Sequence, residues 1–175
     1  MRTSVFVGVS LDGFLARKND SYDFLAPHMG EDNGYDAFMA DVDVVVLGRR
    51  TYEVVRTFPE WPYGDRLVVV LSTNLSELTP PDGANCELSR GPPRHVVEDL
   101  ERRGFHHAYI DGGATIQSFL RDGLIHDITI GRFPVLIGDG LPLFGQLAKD
   151  VHLELRSVSS SPSGGVRSEY RVLAS

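Results

Sequence analysis

Two uninterrupted aliphatic stretches, Val44-Val45-Val46-Leu47 and Leu67-Val68-Val69-Val70-Leu71, constrain this chain more than any other feature. A strand that alternates apolar and polar residues keeps one face in water, whereas a strand with no polar face must be covered on both sides. That pattern belongs to a largely parallel sheet between two layers of helix, and the flanking sequence supplies the helices. Residues 4–9 are apolar and β-branched and run to the Asp12-Gly13 turn, which makes them a first strand. Tyr35, Phe38, Met39 and Val42 share one helical face just before the second strand. Residues 51–57 read as a short helix with Thr51 as its N-cap, broken by Pro59 and Pro62. Residues 92–103 read as a longer helix, with Val96, Val97 and Leu100 inward and Gly104 past its end.

The second half continues the alternation. Residues 107–110 form a strand that runs into Asp111-Gly112-Gly113-Ala114 and a helix through Leu120, stopped near Gly123. Residues 126–136 alternate in polarity and bend or end at Pro134, while residues 151–158 and 166–173 make a C-terminal hairpin. The polar stretch 17–34, with Pro27 and Gly30, is longer than most connections, and such loops in compact domains tend to be functional.

Composition narrows the function classes. With 175 residues and 42% hydrophobic content the chain fills one core, so residues 1–175 are expected to form a single domain. Seventeen basic against 24 acidic residues give a net charge of −7, which argues against a nucleic-acid-coating surface. The lone cysteine, Cys86, excludes an internal disulfide and a multi-thiolate zinc site, and fits a reducing cytoplasm. No segment has the apolar length of a secretory leader or the roughly 18 residues of a membrane span, so a soluble, cytoplasmic protein away from membranes is expected.

Two junctions point to chemistry. At Leu47-Gly48-Arg49-Arg50-Thr51 a buried strand meets a helix start, where unpaired amides, the positive end of the helix dipole and two guanidiniums suit a phosphate; a surface arginine pair beside an ordinary cap is the plain alternative. At Asp111-Gly112-Gly113-Ala114-Thr115 a second strand-to-helix turn has glycines that let a ligand approach the backbone. Neither segment is a dinucleotide fingerprint of three spaced glycines or a P-loop. Ligands of open α/β sheets bind beyond the C-terminal strand ends, so the two turns reinforce one another, and Ser72, Thr73 and Asn74 follow a third strand end. The six histidines are scattered without metal-ligand spacing, no metal site is expected, and Cys86 has no basic neighbour in sequence to activate it. No Gly-x-Ser-x-Gly elbow occurs.

Taken in order, five segments resemble the dihydrofolate-reductase-like fold, and within it the reductase domain of the riboflavin-biosynthesis deaminase-reductase family. They are residues 10–16 (SLDGFLA), 43–53 (DVVVLGRRTYE), 71–73 (LST), 111–114 (DGGA) and 134–144 (PVLIGDGLPLF). The resemblance implies a three-layer α/β fold with a mixed, mostly parallel sheet of about eight strands, helices on both faces and a C-terminal antiparallel hairpin. It implies NADPH as cofactor, with Gly48, Arg49, Arg50 and Thr51 toward its phosphates and either arginine at the 2′-phosphate. Ser72 and Thr73 match the adenosine side, and Gly112, Gly113, Ala114 and Thr115 match the turn against the pyrophosphate and nicotinamide ribose.

The chain departs from these relatives in carrying Asp111 where the riboflavin reductases often have glutamate, and in lacking tryptophan between Phe24 and Tyr35, where dihydrofolate reductases engage pterin. No zinc deaminase motif precedes the domain, so it resembles the stand-alone members. The resulting expectation is an NADPH-dependent reductase of a small heterocyclic or ribosylamino-pyrimidine substrate. Asp12 is the expected proton-delivering residue, Asp32 or Asp36 could place a further carboxylate near the pocket, and a homodimer is expected. Dihydrofolate reductase and a non-catalytic nucleotide-binding module of the same fold are the alternatives.

Overall fold

The computed structural model describes residues 1–28, 30 and 33–174; Asp32 lies outside them. Its frame is an eight-stranded sheet in the order β5-β4-β3-β6-β1-β7-β10-β9. The strands are β1 (Arg2–Ser10), β3 (Val44–Gly48), β4 (Leu67–Leu71), β5 (Cys86–Ser89), β6 (His107–Asp111), β7 (Asp127–Phe133), β9 (Leu153–Ser160) and β10 (Val166–Val172). From β5 to β7 every pairing is parallel, and β10 and β9 close the sheet antiparallel. A small second sheet pairs β2 (Phe14–Ala16) with β8 (Leu141–Pro142).

Helices cover both faces, as the aliphatic runs demand. Val44 and Val46 pack with Val96 and Leu100 of α3 (Pro93–Arg102) and with Ile116 and Phe119 of α4 (Gly113–Arg121). Val45 and Leu47 belong to the opposite cluster, with Met39 of α1 (Tyr35–Ala40) and Tyr52 and Val55 of α2 (Arg49–Val55). All four strand residues are fully buried, so the absence of alternation in sequence reflects two apolar layers rather than one.

Several expectations need correction. Thr51 is not the cap of α2: the helix starts at Arg49 straight off β3, Gly48 is the N-cap, and no side chain caps it. The connection after β2 holds a 3-10 helix, Asp23–His28, because Phe24 is buried beneath it. Strand β5 escaped the sequence reading because it is a short edge strand, Cys-Glu-Leu-Ser, half-buried throughout and without a recognisable pattern. The hairpin strands shift to Leu153–Ser160 and Val166–Val172, and β7 ends at Phe133, one residue before Pro134. Among the described residues no helix is long and apolar enough to cross a membrane.

Because β1, β3, β4, β6 and β7 are parallel, Ser10, Gly48, Leu71, Asp111 and Phe133 all end at one rim of the sheet. The turn between β9 and β10 returns to the same rim, since Val166 pairs with Arg132. The core of α4 holds this rim rigid. Phe119→Ala is therefore expected to lower stability by about 3–5 kcal/mol in denaturant unfolding, and a loss below about 1 kcal/mol would contradict the packing described.

Candidate active site

At this rim the chain encloses a cavity of about 1460 Å³, lined from β3, α2, β6, α4, β1, β7, β10 and the long connection after β2. Two turns with the same spacing, Gly48-Arg49-Arg50-Thr51 and Gly112-Gly113-Ala114-Thr115, form part of its wall. They interlock. A β-carbon added to Gly48 would sit 2.8 Å from Thr115 Oγ1, and one added to Gly112 would overlap Thr51 Oγ1. Each glycine thus makes room for the threonine of the other turn. Gly112 also has φ +89°, in the left-handed region that other residues adopt at a cost.

The chemical consequence lies at the helix starts. Neither α2 nor α4 has a side-chain cap, since the capping residues are Gly48 and Gly112. Their first amides therefore lack the usual oxygen acceptor from a capping side chain, which leaves them suited to an anion in the cavity. The arginines differ. Arg50 Nη2 donates to Asp20 at 2.9 Å, tying α2 to the long connection, whereas Arg49 forms no ion pair among the described residues. The uncapped amides and the uncommitted Arg49 fit the phosphates of a dinucleotide.

Next to this wall lies a group the sequence reading did not assemble. Asp111 ends β6, receives the Gly112 amide on Oδ1 at 2.7 Å, and is approached by the Tyr63 hydroxyl at 3.4 Å from Oδ2. Tyr109, two residues earlier on the same strand face, donates its hydroxyl to the Phe6 carbonyl at 2.9 Å. Burial raises the Asp111 carboxyl above its ordinary range, against the opposing pull of the Gly112 amide and the two tyrosine hydroxyls. Tyr35, Tyr63 and Tyr109 are all raised, first by burial and then by the nearby Asp111 charge. The group is deep in the molecule yet open to the cavity, which Tyr35, Tyr63, Tyr109 and Asp111 all line.

Other sequence candidates fall elsewhere. Gly48, Arg49, Arg50, Thr51, Gly112, Gly113, Ala114 and Thr115 line the cavity together, but Ser72 and Thr73 do not. Ser72 Oγ instead accepts the amides of Asn74 and Leu75, which shapes the turn after β4. Asp12 is exposed and outside the cavity wall. Its carboxylate accepts the Ile137 and Gly138 amides, bracing the loop before β8, and a hydrogen bond from Ser10 is the first cause of its lowered pKa. Asp36 is exposed on α1. Burial pushes the Cys86 thiol up to about 11, away from nucleophilic use. Trp61 packs edge-on against Tyr63 behind the wall. His28 does face the cavity, and no sequence spacing singled it out. Among the described residues, no three His, Cys, Asp or Glu side chains gather as a metal would need.

Comparison with known proteins identifies the family and the fold. The family model described as the RibD C-terminal domain matches residues 4–166. This chain belongs to the RibD C-terminal domain family. Within reach of that family, the uncharacterized protein YwjB of Bacillus subtilis (strain 168) is 33% identical over 162 residues, which cover 89% of each chain. A solved structure from Shewanella sp. PV-4, of a protein assigned to riboflavin biosynthesis, is 35% identical with a TM-score of 0.92, over 99% of this chain and 100% of that one. Enterococcus faecalis dihydrofolate reductase, solved with NADP(H), shares the fold at 12% identity and a TM-score of 0.68, over 98% of this chain and 96% of that one. The RibD-type domain here is accordingly a reductase-like oxidoreductase domain of dihydrofolate-reductase-like fold.

The interlocked turns give a test that isolates their contact from backbone strain. Gly112→Ala is expected to cost at least about 1 kcal/mol more than Gly123→Ala, which also has positive φ but meets nothing within 4 Å. Adding Thr51→Ala to the first variant should recover part of the difference in thermal or denaturant unfolding. Equal costs for the two glycine variants would contradict the interlock.

Proposed function

We propose that this RibD-type domain uses NADPH to reduce a small heterocyclic or ribosylamino-pyrimidine acceptor. One observation carries the reading: the two uncapped glycine turns and Arg49 open into the same cavity as the buried Asp111 group. Fold kinship with an NADP(H)-bound reductase supports it. When bound, a reduced nicotinamide supplies hydride to an acceptor held against it. The chain's own residues do the rest. The amides at the starts of α2 and α4 hold phosphate, and Arg49 favours the 2′-phosphate. Arg50, held by Asp20, keeps the long connection over the cavity.

We assign proton delivery to Asp111 in place of Asp12. Asp12 is turned to solvent and committed to two loop amides, whereas Asp111 lies in the cavity wall and burial favours its neutral, proton-bearing form. Tyr63 and the Gly112 amide orient it.

Titration calorimetry with NADPH and NADH tests the cofactor. NADPH should bind more tightly, and Arg49→Ala should weaken it by about 1.5–3 kcal/mol while changing NADH binding much less. Equal affinity for the two nucleotides in the unaltered chain would contradict the assignment.

The pH dependence follows from the raised Asp111 carboxyl. Activity should be full below that value and fall as pH rises through it, with the alkaline limb absent in Asp111→Asn. Because the folded value exceeds the unfolded one, the same ionisation removes stability as pH rises. An unchanged limb in the variant would rule out Asp111 as its source.

We further propose that the domain works as a homodimer joined along β9. That strand is exposed over its full length and carries Leu155 and Val158 at 55% and 57% exposure, an apolar edge that a second copy would cover. Sedimentation should give twice the chain mass of 19.3 kDa, and Val158→Lys should return it to monomer. A monomer in the unaltered chain at micromolar concentration would contradict this.

A further inference from the structure

We propose that Tyr35 is a substrate-contacting residue, whose hydroxyl donates a hydrogen bond to the same acceptor atom that Asp111 protonates. This rests on the reductase reading above and adds a second group to its proton-handling part. Three tyrosines feel the Asp111 charge, Tyr35, Tyr63 and Tyr109, and all three line the cavity. Two of them have their hydroxyls committed, Tyr63 to Asp111 Oδ2 at 3.4 Å and Tyr109 to the Phe6 carbonyl at 2.9 Å. The Tyr35 hydroxyl makes no hydrogen bond among the described residues. A tyrosine hydroxyl inside a protein ordinarily finds a partner, so a half-buried one left unspent in a cavity wall is suited to a polar atom of the ligand.

Packing fixes the ring beside Asp111. Its centre lies 5.5 Å from that of Phe6 and 6.3 Å from that of Tyr109, edge-on to both, with Phe38 at 6.4 Å. Tyr109 precedes Asp111 by two residues on β6, and Ser4, opposite Tyr109 in the parallel register, precedes Phe6 by two on β1. Tyr35 thus rests on the two residues that flank Asp111, one on its own strand and one on the neighbouring strand. The helix that presents the ring is held at both ends: Asn33 Oδ1 accepts the Tyr35 amide at 3.0 Å, and Arg66 Nη2 donates to the Met39 carbonyl at 2.8 Å. Burial and then the Asp111 charge raise the Tyr35 hydroxyl above its ordinary range, so it stays a donor.

The chemistry gives the two groups separate tasks. Reduction of a C=N or C=O group places hydride on carbon and moves the π pair onto nitrogen or oxygen, with the nicotinamide left oxidised. The Asp111 proton goes to that atom and leaves a carboxylate. Tyr35 keeps its own proton and stabilises the negative charge as it grows, as an oxyanion-hole donor does.

Tyr35→Phe keeps the ring and removes only the donor. Calorimetric titration of the full chain with 5-amino-6-(5-phosphoribosylamino)uracil, without nucleotide, should show the variant binding this probe about tenfold more weakly. With NADPH present, kcat for reduction of the probe should fall by at least about tenfold, and the alkaline limb assigned to Asp111 should persist because the proton source is intact. NADPH affinity and the thermal unfolding midpoint should not change, which separates a lost contact from loosened packing. Unchanged probe binding and kcat in the variant overturn the proposal. So does weaker probe binding with kcat unchanged, loss of the alkaline limb, or failure of the unaltered chain to bind the probe. Titration of the unaltered chain with NADPH keeps the two readings apart. Failure to bind NADPH overturns the reductase reading, whereas NADPH binding with a Tyr35→Phe variant indistinguishable from the unaltered chain overturns the role of Tyr35 alone.

Discussion

The parallel pairing of β3 with β6 is the constraint on which the site depends. Val44 to Leu47 lie in register with Ala108 to Asp111, so the two strands end together and their following turns are forced into contact. That contact is possible because each turn offers a glycine where the other offers a threonine three residues further on. A side chain at either glycine would separate the turns, and with them the two helix starts. Rigidity here comes from the core on both sides of the sheet, where the strand residues have no room to shift register.

Much of this was legible in the sequence because parallel, doubly covered strands announce themselves. The runs at Val44 and Leu67 gave the layers, and the Gly48 and Gly112 junctions gave two turns that line one cavity. The shared Gly-x-x-Thr spacing was also present, but its meaning depends on strand register, which one strand's sequence does not carry. Asp12 lies outside the cavity wall for a related reason. An Asp-Gly turn beside a strand end can face the cavity or the neighbouring loop, and the amides of Ile137 and Gly138 decided it. Asp111 read as one member of a glycine turn, because its significance comes from Tyr63 and Tyr109, separated from it by 48 residues in one case and lying behind it on the same strand in the other.

The cavity has two unlike ends. Toward β3 and α4 it offers amides and an uncommitted arginine; toward β1 and β7 it offers aromatic rings and Arg167, whose Nη1 donates to the Asn33 carbonyl while its buried Nε has no hydrogen-bond partner among the described residues. Asp111 stands at β6, between β3 and β1 in the sheet, where the two environments meet. Burial raises that carboxyl above its ordinary range, so it holds its proton at pH values that would ionise an exposed one. Sheet order thus sorts the wall: uncapped amides and Arg49 at β3, the buried carboxyl at β6 and aromatic rings toward β1 and β7 stand at successive strand ends.

The central claim is that the two interlocked turns act as one nucleotide-binding unit. Amide hydrogen exchange measured with and without NADPH tests it most directly, because it reads each turn separately and needs no substitution. The account predicts that exchange slows together over residues 48–51 and 112–115, with little change at the exposed turn after β4 that contains Ser72 and Thr73. Slowing in one turn alone, or in neither, would contradict it.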